Sequence, residues 1–137
     1  MEIVIADTGF VVALTNRSDP RHITVRDIYS QQQKILLPQT VLAEVAYLVG
    51  REAGIATVVK FLKGLSASRF LLVELIEADI LRTAEILEAY ADSRIDFVDA
   101  SIMALAERLN LVTVLTLDRR DFSLFRPRHC NSFILVP

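Results

Sequence analysis

The chain opens on Ile3-Val4-Ile5-Ala6, an apolar run without a polar interruption that stops abruptly at Asp7-Thr8-Gly9. A strand that is apolar on both faces must be covered on both faces, which is the condition of a strand inside a parallel sheet. That condition demands helices on either side of the sheet, and the rest of the chain reads as supplying them. Phe10 to Leu14 read as a short apolar helix, and Asn16 to Arg21 as a loop leading into a second helix that ends near Gln33. Ile35-Leu36-Leu37 before Pro38 is a second strand. Thr40 to Glu52 is helical and apolar around most of its circumference, and Gly54 separates it from an amphipathic segment carrying Val58, Val59, Phe61, Leu62 and Leu65. Phe70 to Leu75 is a third strand, Glu77 to Ala91 and Asp96 to Leu109 are helices, Leu111 to Leu117 is a fourth strand, and Phe133 to Val136 a fifth. The expectation is a three-layer α/β/α fold around a central, mostly parallel sheet of four to five strands. Two consecutive helix pairs keep it from strict strand-helix alternation.

A chain of 137 residues that is 53% hydrophobic can bury one core and has no room for a second, so residues 1–137 are read as a single domain. With 15 basic against 17 acidic residues the net charge is −2, which excludes a protein that grips polyanions by its overall field. Any nucleic-acid contact must be local. The lone Cys130 excludes a disulfide framework or a multi-cysteine metal site, and His22 and His129 lack a partner at zinc-ligand spacing. Every apolar run is broken well before the ~20 residues needed to span a bilayer, and the start lacks the basic-then-apolar pattern of an export signal. No membrane association is expected, and the cytoplasm is the expected compartment.

In an open parallel sheet, ligands bind beyond the carboxyl ends of the strands, and acids at those ends point into one crevice. Four segments supply such acids: Asp7 ends the first strand, Glu44 lies one turn inside the helix after the second, Asp99 stands at the start of the helix before the fourth, and Asp118 ends the fourth. Each also has a plainer reading. Asp7 can cap the following helix, a contribution of about 1 kcal/mol. Glu44 can belong to a wet stripe of Thr40, Glu44, Tyr47 and Arg51. Asp96 and Asp99 have the spacing of a helix cap and its partner three residues on, and Asp118 and Asp121 fit a polar turn.

Four acids at one sheet edge are harder to explain one by one. Converging carboxylates repel by ~4 kcal/mol per pair at 4 Å for an effective dielectric of 20, and a polyvalent cation is the simplest way to hold them together. Oxygen-only ligands select Mg²⁺ or Mn²⁺ over zinc. Two such ions ~3.5 to 4 Å apart can activate water and stabilise the departing oxygen of a phosphodiester.

Three stretches in this order resemble the PIN domain, the metal-dependent nuclease fold that includes the VapC toxins of toxin-antitoxin systems. They are Ile3-Val4-Ile5-Ala6-Asp7-Thr8, then Leu42-Ala43-Glu44-Val45, and finally Asp96-Phe97-Val98-Asp99-Ala100-Ser101-Ile102 with Val114 to Phe122. The resemblance covers nearly the whole chain. It implies that Asp7 and Asp99 are the principal metal ligands, that Glu44 completes the acidic site, that Asp118 supplies a fourth acid, and that Thr116 is a supporting hydroxyl. Asp96 competes with Asp99, and Asp121 with Asp118, for the last two places.

The resemblance further implies a Mg²⁺-dependent endoribonuclease that hydrolyses RNA phosphodiester bonds, and a toxin that is silenced by a cognate antitoxin protein and acts as a dimer. The positive segment from Arg119 to His129 lies beside the proposed site, with Arg119 and Arg120 as candidate RNA contacts. Apolar surface between Val41 and Leu65 exceeds what a small domain covers, which also points to a homodimer. Two other readings remain open, a catalytically inactive module of this fold that binds RNA or a protein, and a nuclease of this fold in RNA processing. Receiver and dehalogenase-like phosphoryl-transfer domains fit poorly. Gly9 stands where the dehalogenase-like pattern needs its second Asp, and the lone Asp7 and Arg119 stand where receivers use an acidic pair and a lysine.

Overall fold

The computed structural model describes residues 2–137, which form five strands and seven helices. The strands are β1 (Val4–Ala6), β2 (Ile35–Pro38), β3 (Phe70–Val73), β4 (Thr113–Leu115) and β5 (Ile134–Val136). They lie in the order β3-β2-β1-β4-β5, and every neighbouring pair is parallel. The helices are α1 (Thr8–Thr15), α2 (His22–Gln31), α3 (Gln39–Ala53), α4 (Ile55–Gly64), α5 (Glu77–Ala89), α6 (Phe97–Arg108) and α7 (Arg119–Leu124). They flank the sheet in the three-layer α/β/α arrangement.

The three inner strands are buried along their whole length, as strands covered on both faces are, with the Thr113 hydroxyl of β4 donating to the Glu2 carboxylate. Helix α6 is the most enclosed helix: Ala100 to Ala106 are all buried, and the helix packs against α5 and β1. Small residues let its backbone approach the sheet. Phe10, Phe122 and Phe125 fill the rest of the interior, with Phe125 stacked on Phe133 at 5.9 Å.

Two ion pairs fasten α5 to α6. Arg108 Nε donates to both carboxylate oxygens of buried Asp79 at 2.9 and 3.0 Å, and Arg82 makes a two-pronged contact with Glu107 at 2.7 and 3.1 Å. Between α3 and α4 the chain turns at Gly54, whose φ of 90° lies in the region that side chains disfavour.

The expected three-layer fold and its parallel sheet are present, and the helices read from the sequence join the first four strands as three pairs, one more than the two counted from the sequence. In detail the structure differs from the sequence reading in two further respects. The segment around Asp118 and Asp121, for which a polar turn is one reading of the sequence, instead enters α7 at Arg119. Six residues are too few to show a helical period, and this helix starts because Asp118 accepts the Asp121 amide. The strands β3 and β4 are also shorter than their apolar runs. Among the described residues, no helix is long and apolar enough to cross a membrane.

Candidate functional site

The chain leaves β1 toward β2 on one side and β4 toward β5 on the other, so a crevice opens beyond the carboxyl ends of these two central neighbours. Ala6 pairs with Leu115, and the Asp7 amide donates to the Leu115 carbonyl at 2.9 Å, carrying the ladder one residue further. This register sets Asp7 beside Thr116. Thr116 Oγ1 donates to Asp7 Oδ2 at 2.9 Å, and the Thr8 amide donates to Asp7 Oδ1 at 2.6 Å. The oxygen of Thr116 also accepts the Asp118 amide at 2.9 Å. Asp7 is only 6% exposed.

The other acids arrive on helix starts. Asp96 caps α6 by accepting the Asp99 amide at 2.9 Å, while Asp99 Oδ2 accepts the Asp96 amide at 3.2 Å. Asp118 caps α7 through the Asp121 amide at 3.3 Å. Capping therefore operates at Asp7, Asp96 and Asp118, and it fixes the acids near the crevice. Carboxylate oxygens of Asp99, Asp118 and Asp121 lie within 4.8 Å of one another. At that separation each pair of ionised groups repels by roughly 3.5 kcal/mol for an effective dielectric of 20.

Asp7 and Glu44 lie outside this tight trio, yet both belong to the same electrostatic unit. Burial pushes the Asp7 carboxyl up to about 6, and the charges of Asp118 and Glu44 push in the same direction. Asp99 is pushed up to about 8, first by burial, then by Asp96 and Asp7. Asp121 is raised by burial and by Asp118, with Arg120 and Arg94 opposing.

Glu44 is half-buried on α3, and the polar stripe containing it has two ends with different surroundings. At the inner end Thr40 meets Ser101 of α6 at 2.8 Å. Because Ser101 Oγ donates to the Val98 carbonyl at 2.7 Å, the Thr40 hydroxyl is the donor in that contact. At the outer end Tyr47 and Arg51 are exposed, the guanidinium resting 5.7 Å from the ring centre. Glu44 lies between these two ends, and its charge reaches Asp7.

The residues fit a hard divalent cation. The trio offers carboxylate oxygen alone, whereas His22 and His129 are bonded to the carbonyls of Ala13 and Leu111. Next to Asp7, the buried Thr8 Oγ1 has no hydrogen-bond partner among the described residues, a polar atom ready for a hydrated ion. Crowded carboxylates can shed their repulsion by taking up protons or by sharing a cation.

The arginines divide. Arg119 donates to the carbonyls of Leu135 and Pro137, which ties it to the end of the chain. Arg126 bonds the carbonyl of Ser123, and Arg128 reaches Glu85. Arg120 has no partner among the described residues. Sequence reasoning did not single out Arg94, which lines a cavity with Arg120 and Asp121. It also gave Thr8 no role, although its place directly after a strand-ending acid was a usable signal.

The sequence profile described as PIN domain matches residues 4–126. Ribonuclease VapC26 of Mycobacterium tuberculosis is 33% identical over 135 residues, spanning 98% of this chain and 100% of that protein. The crystal structure of Mycobacterium tuberculosis VapC20, described as a sarcin-ricin loop cleaving toxin, is similar with a TM-score of 0.79 and 21% identity, covering 85% of this chain and 91% of that one. A toxin-antitoxin complex from Klebsiella pneumoniae contains a chain similar to this one, with a TM-score of 0.67 and 17% identity over 89% of this chain and 92% of that one.

Proposed function

The chain belongs to the PIN domain family, and from that premise we propose that it is a Mg²⁺-dependent endoribonuclease, the toxin of a type II toxin-antitoxin system acting in the cytoplasm. The observation that carries the reading is the gathering of Asp99, Asp118 and Asp121 within 4.8 Å beside a buried Asp7. The ribonuclease relative at 33% identity supports RNA as the substrate. Asp7, Asp99, Glu44 and Asp118 are the proposed metal-holding and catalytic acids, with Asp121 sharing the place of Asp118.

When bound, Mg²⁺ or Mn²⁺ supplies Lewis-acid polarisation of the scissile phosphate and lowers the pKa of water. The chain does the rest. Thr116 and the Thr8 amide hold both oxygens of Asp7 in place, so this carboxylate does not reorganise during the reaction. The capping bonds fix Asp99 and Asp118 on rigid helix starts. Asp99, raised to about 8 by burial and by its acidic neighbours, gains most from a bound cation, which would hold its carboxylate ionised as a ligand. Asp96 keeps its capping role and is left outside the proposed ligand set.

Replacing Asp7 or Asp99 by Asn is expected to abolish Mg²⁺-dependent RNA cleavage and to leave the circular dichroism spectrum unchanged. Wild-type protein that binds RNA but cleaves none in Mg²⁺ or Mn²⁺ would establish a binding module instead.

Two partners follow from the same reading. The antitoxin has a surface that suits it, a groove of about 980 Å³ between α2 and α4 lined by Ile23, Phe61 and Leu65 together with Arg17 and Lys60. An apolar segment with acidic neighbours would complement it, and the Klebsiella complex supports a protein partner for this fold. A second copy of the chain would cover Tyr47, Ile55 and Leu62, which are 66%, 74% and 43% exposed on α3 and α4. Light scattering at micromolar concentration is expected to give the mass of a dimer.

A further inference from the structure

Nine of the twelve arginines are engaged by a carboxylate or a carbonyl of the chain, and among the described residues Arg17, Arg94 and Arg120 are not. Two of these three come together. Arg94 and Arg120 line one cavity of about 300 Å³ between the α5–α6 connection and α7, with Tyr90, Asp92, Asp121 and Leu124 among its other walls. Its volume lies at the lower end of the range for small-molecule sites, about 300 to 1,000 Å³.

The position of this cavity is set by Asp121, which is both one of its walls and a member of the carboxylate trio. Neither Arg94 nor Arg120 makes a direct ion pair among the described residues, although the charges of both reach Asp121, and a planar donor fork of this kind matches phosphate oxygens. Asp92 is exposed and makes no ion pair with either arginine among the described residues. The aromatic wall is held in place. Tyr90 packs against Phe125 with ring centres 5.5 Å apart, and its hydroxyl accepts the Arg126 amide at 2.9 Å. Leu124 adds a half-exposed apolar surface. Paired cationic forks beside a fixed aromatic face provide for the two ends of a nucleotide, phosphate and base.

We infer that this cavity is the subsite for the nucleotide next to the scissile phosphate, with Arg94 and Arg120 gripping its phosphate and Tyr90 and Leu124 receiving its base or ribose. The inference rests on the nuclease reading and deepens it. It assigns substrate binding to Arg94, a residue outside the acidic motif, and leaves Arg119 to anchor the C-terminal strand.

The test measures two quantities on Arg94→Ala, Arg120→Ala and, as a control for loss of charge, Lys63→Ala on α4. One is the affinity for a short 2′-O-methyl single-stranded oligonucleotide, by fluorescence anisotropy in EDTA; the other is steady-state cleavage of the matching RNA in Mg²⁺. Each arginine variant is expected to weaken oligonucleotide binding and raise KM by about tenfold, with kcat within about twofold. The slope of log Kd against log salt should fall by roughly 0.7 per arginine. Arg94→Lys should recover part of the affinity, and Lys63→Ala should match wild type.

Unchanged oligonucleotide affinity and KM in Arg94→Ala, with wild-type cleavage intact, would overturn the subsite and leave the nuclease reading standing. A fall in kcat at constant KM would overturn it too, by placing Arg94 on the reacting phosphate, as would weakened antitoxin binding with oligonucleotide affinity unmoved. If wild type cleaves nothing yet binds the oligonucleotide through Arg94, the nuclease reading falls, and with it the place beside a scissile phosphate, while nucleotide binding in the cavity stands. Absence of binding by wild type overturns the subsite, and absence of cleavage as well overturns both.

Discussion

The hydroxyl of Thr116 donates to Oδ2 of Asp7 at 2.9 Å, joining the ends of the two central strands across the mouth of the crevice. The same oxygen accepts the Asp118 amide at 2.9 Å, so one side chain sets the positions of two acids that come from distant parts of the sequence. The first contact follows from the pairing of Ala6 with Leu115, which places the next residue of each strand side by side, and the second is a local turn closed between residues two apart.

Thr116→Val tests this link with little change of shape, because valine keeps the branched outline and the strand propensity while losing the hydroxyl. It leaves the Asp118 amide and one Asp7 oxygen without their partner, which should lower stability by about 1 to 3 kcal/mol. Loss of such a supporting group should also weaken Mg²⁺ affinity or cleavage by roughly 10- to 100-fold. Thr116→Ser should restore most of both. A Mg²⁺ titration read by thermal shift checks the first quantity, and an unchanged titration in Thr116→Val would show that Asp7 needs no such support.

How far the site was legible in the sequence depends on what each residue needed. Asp7 and Asp118 could be placed because each follows an apolar run that can only be an inner strand. Asp99 could be placed because the apolar run from Ala100 must turn inward. The choice between Asp118 and Asp121 could not be made from sequence, since it depends on α7, a single capped turn and a half without periodicity. The structure brings both into the trio. The state of the arginines was equally hidden: the contact of Arg119 with the C-terminal strand and the grouping of Arg94 with Arg120 depend on segments distant in the chain. The fold itself was largely readable, because strands that are apolar on both faces leave few architectures open.

The ion pair between Asp79 and Arg108 supports the frame that presents Asp99 while lying outside the crevice. Asp79 is 2% exposed and also accepts the Ile76 amide at 2.9 Å, so its carboxylate is fully employed. Asp79→Ala strands the guanidinium of Arg108, and breaking a buried pair on one side costs about 3 to 5 kcal/mol. The lower figure applies here, because the Arg108 side chain keeps 32% exposure. Urea denaturation should show a loss of about 3 kcal/mol, with near-normal specific activity in the fraction that remains folded. A loss below about 1 kcal/mol, the range of surface pairs, would show that α5 and α6 are held by their apolar contact alone.

The carboxylates also predict how stability responds to pH, and the direction follows from the sign of their shifts. Asp7, ordinarily near 3.8, is raised to about 6, and Asp99 to about 8, so the folded chain takes up these protons at a higher pH than the unfolded chain does. Between about pH 4 and 8 the native state therefore binds more protons, and metal-free stability must fall as pH rises through that window. The Asp7 share corresponds to roughly 3 kcal/mol, present at the acid end and lost by neutrality. Asp19 and Glu107 are shifted the other way by Arg21 and Arg82, and their contribution is lost only as pH falls further, below the window. A divalent cation favours the ionised carboxylates, so Mg²⁺ should raise the melting temperature more at pH 8 than at pH 5.5. At a hundredfold excess over Kd its contribution reaches about 2.7 kcal/mol. In EDTA, Asp99→Asn should flatten the upper part of the profile, since the amide has no charge to desolvate. Thermal unfolding from pH 5 to 8.5, with EDTA and with Mg²⁺, checks all of this. A metal-free melting temperature that climbs with pH across the window would mean that neither burial nor neighbouring charge raises these carboxyls in the folded chain.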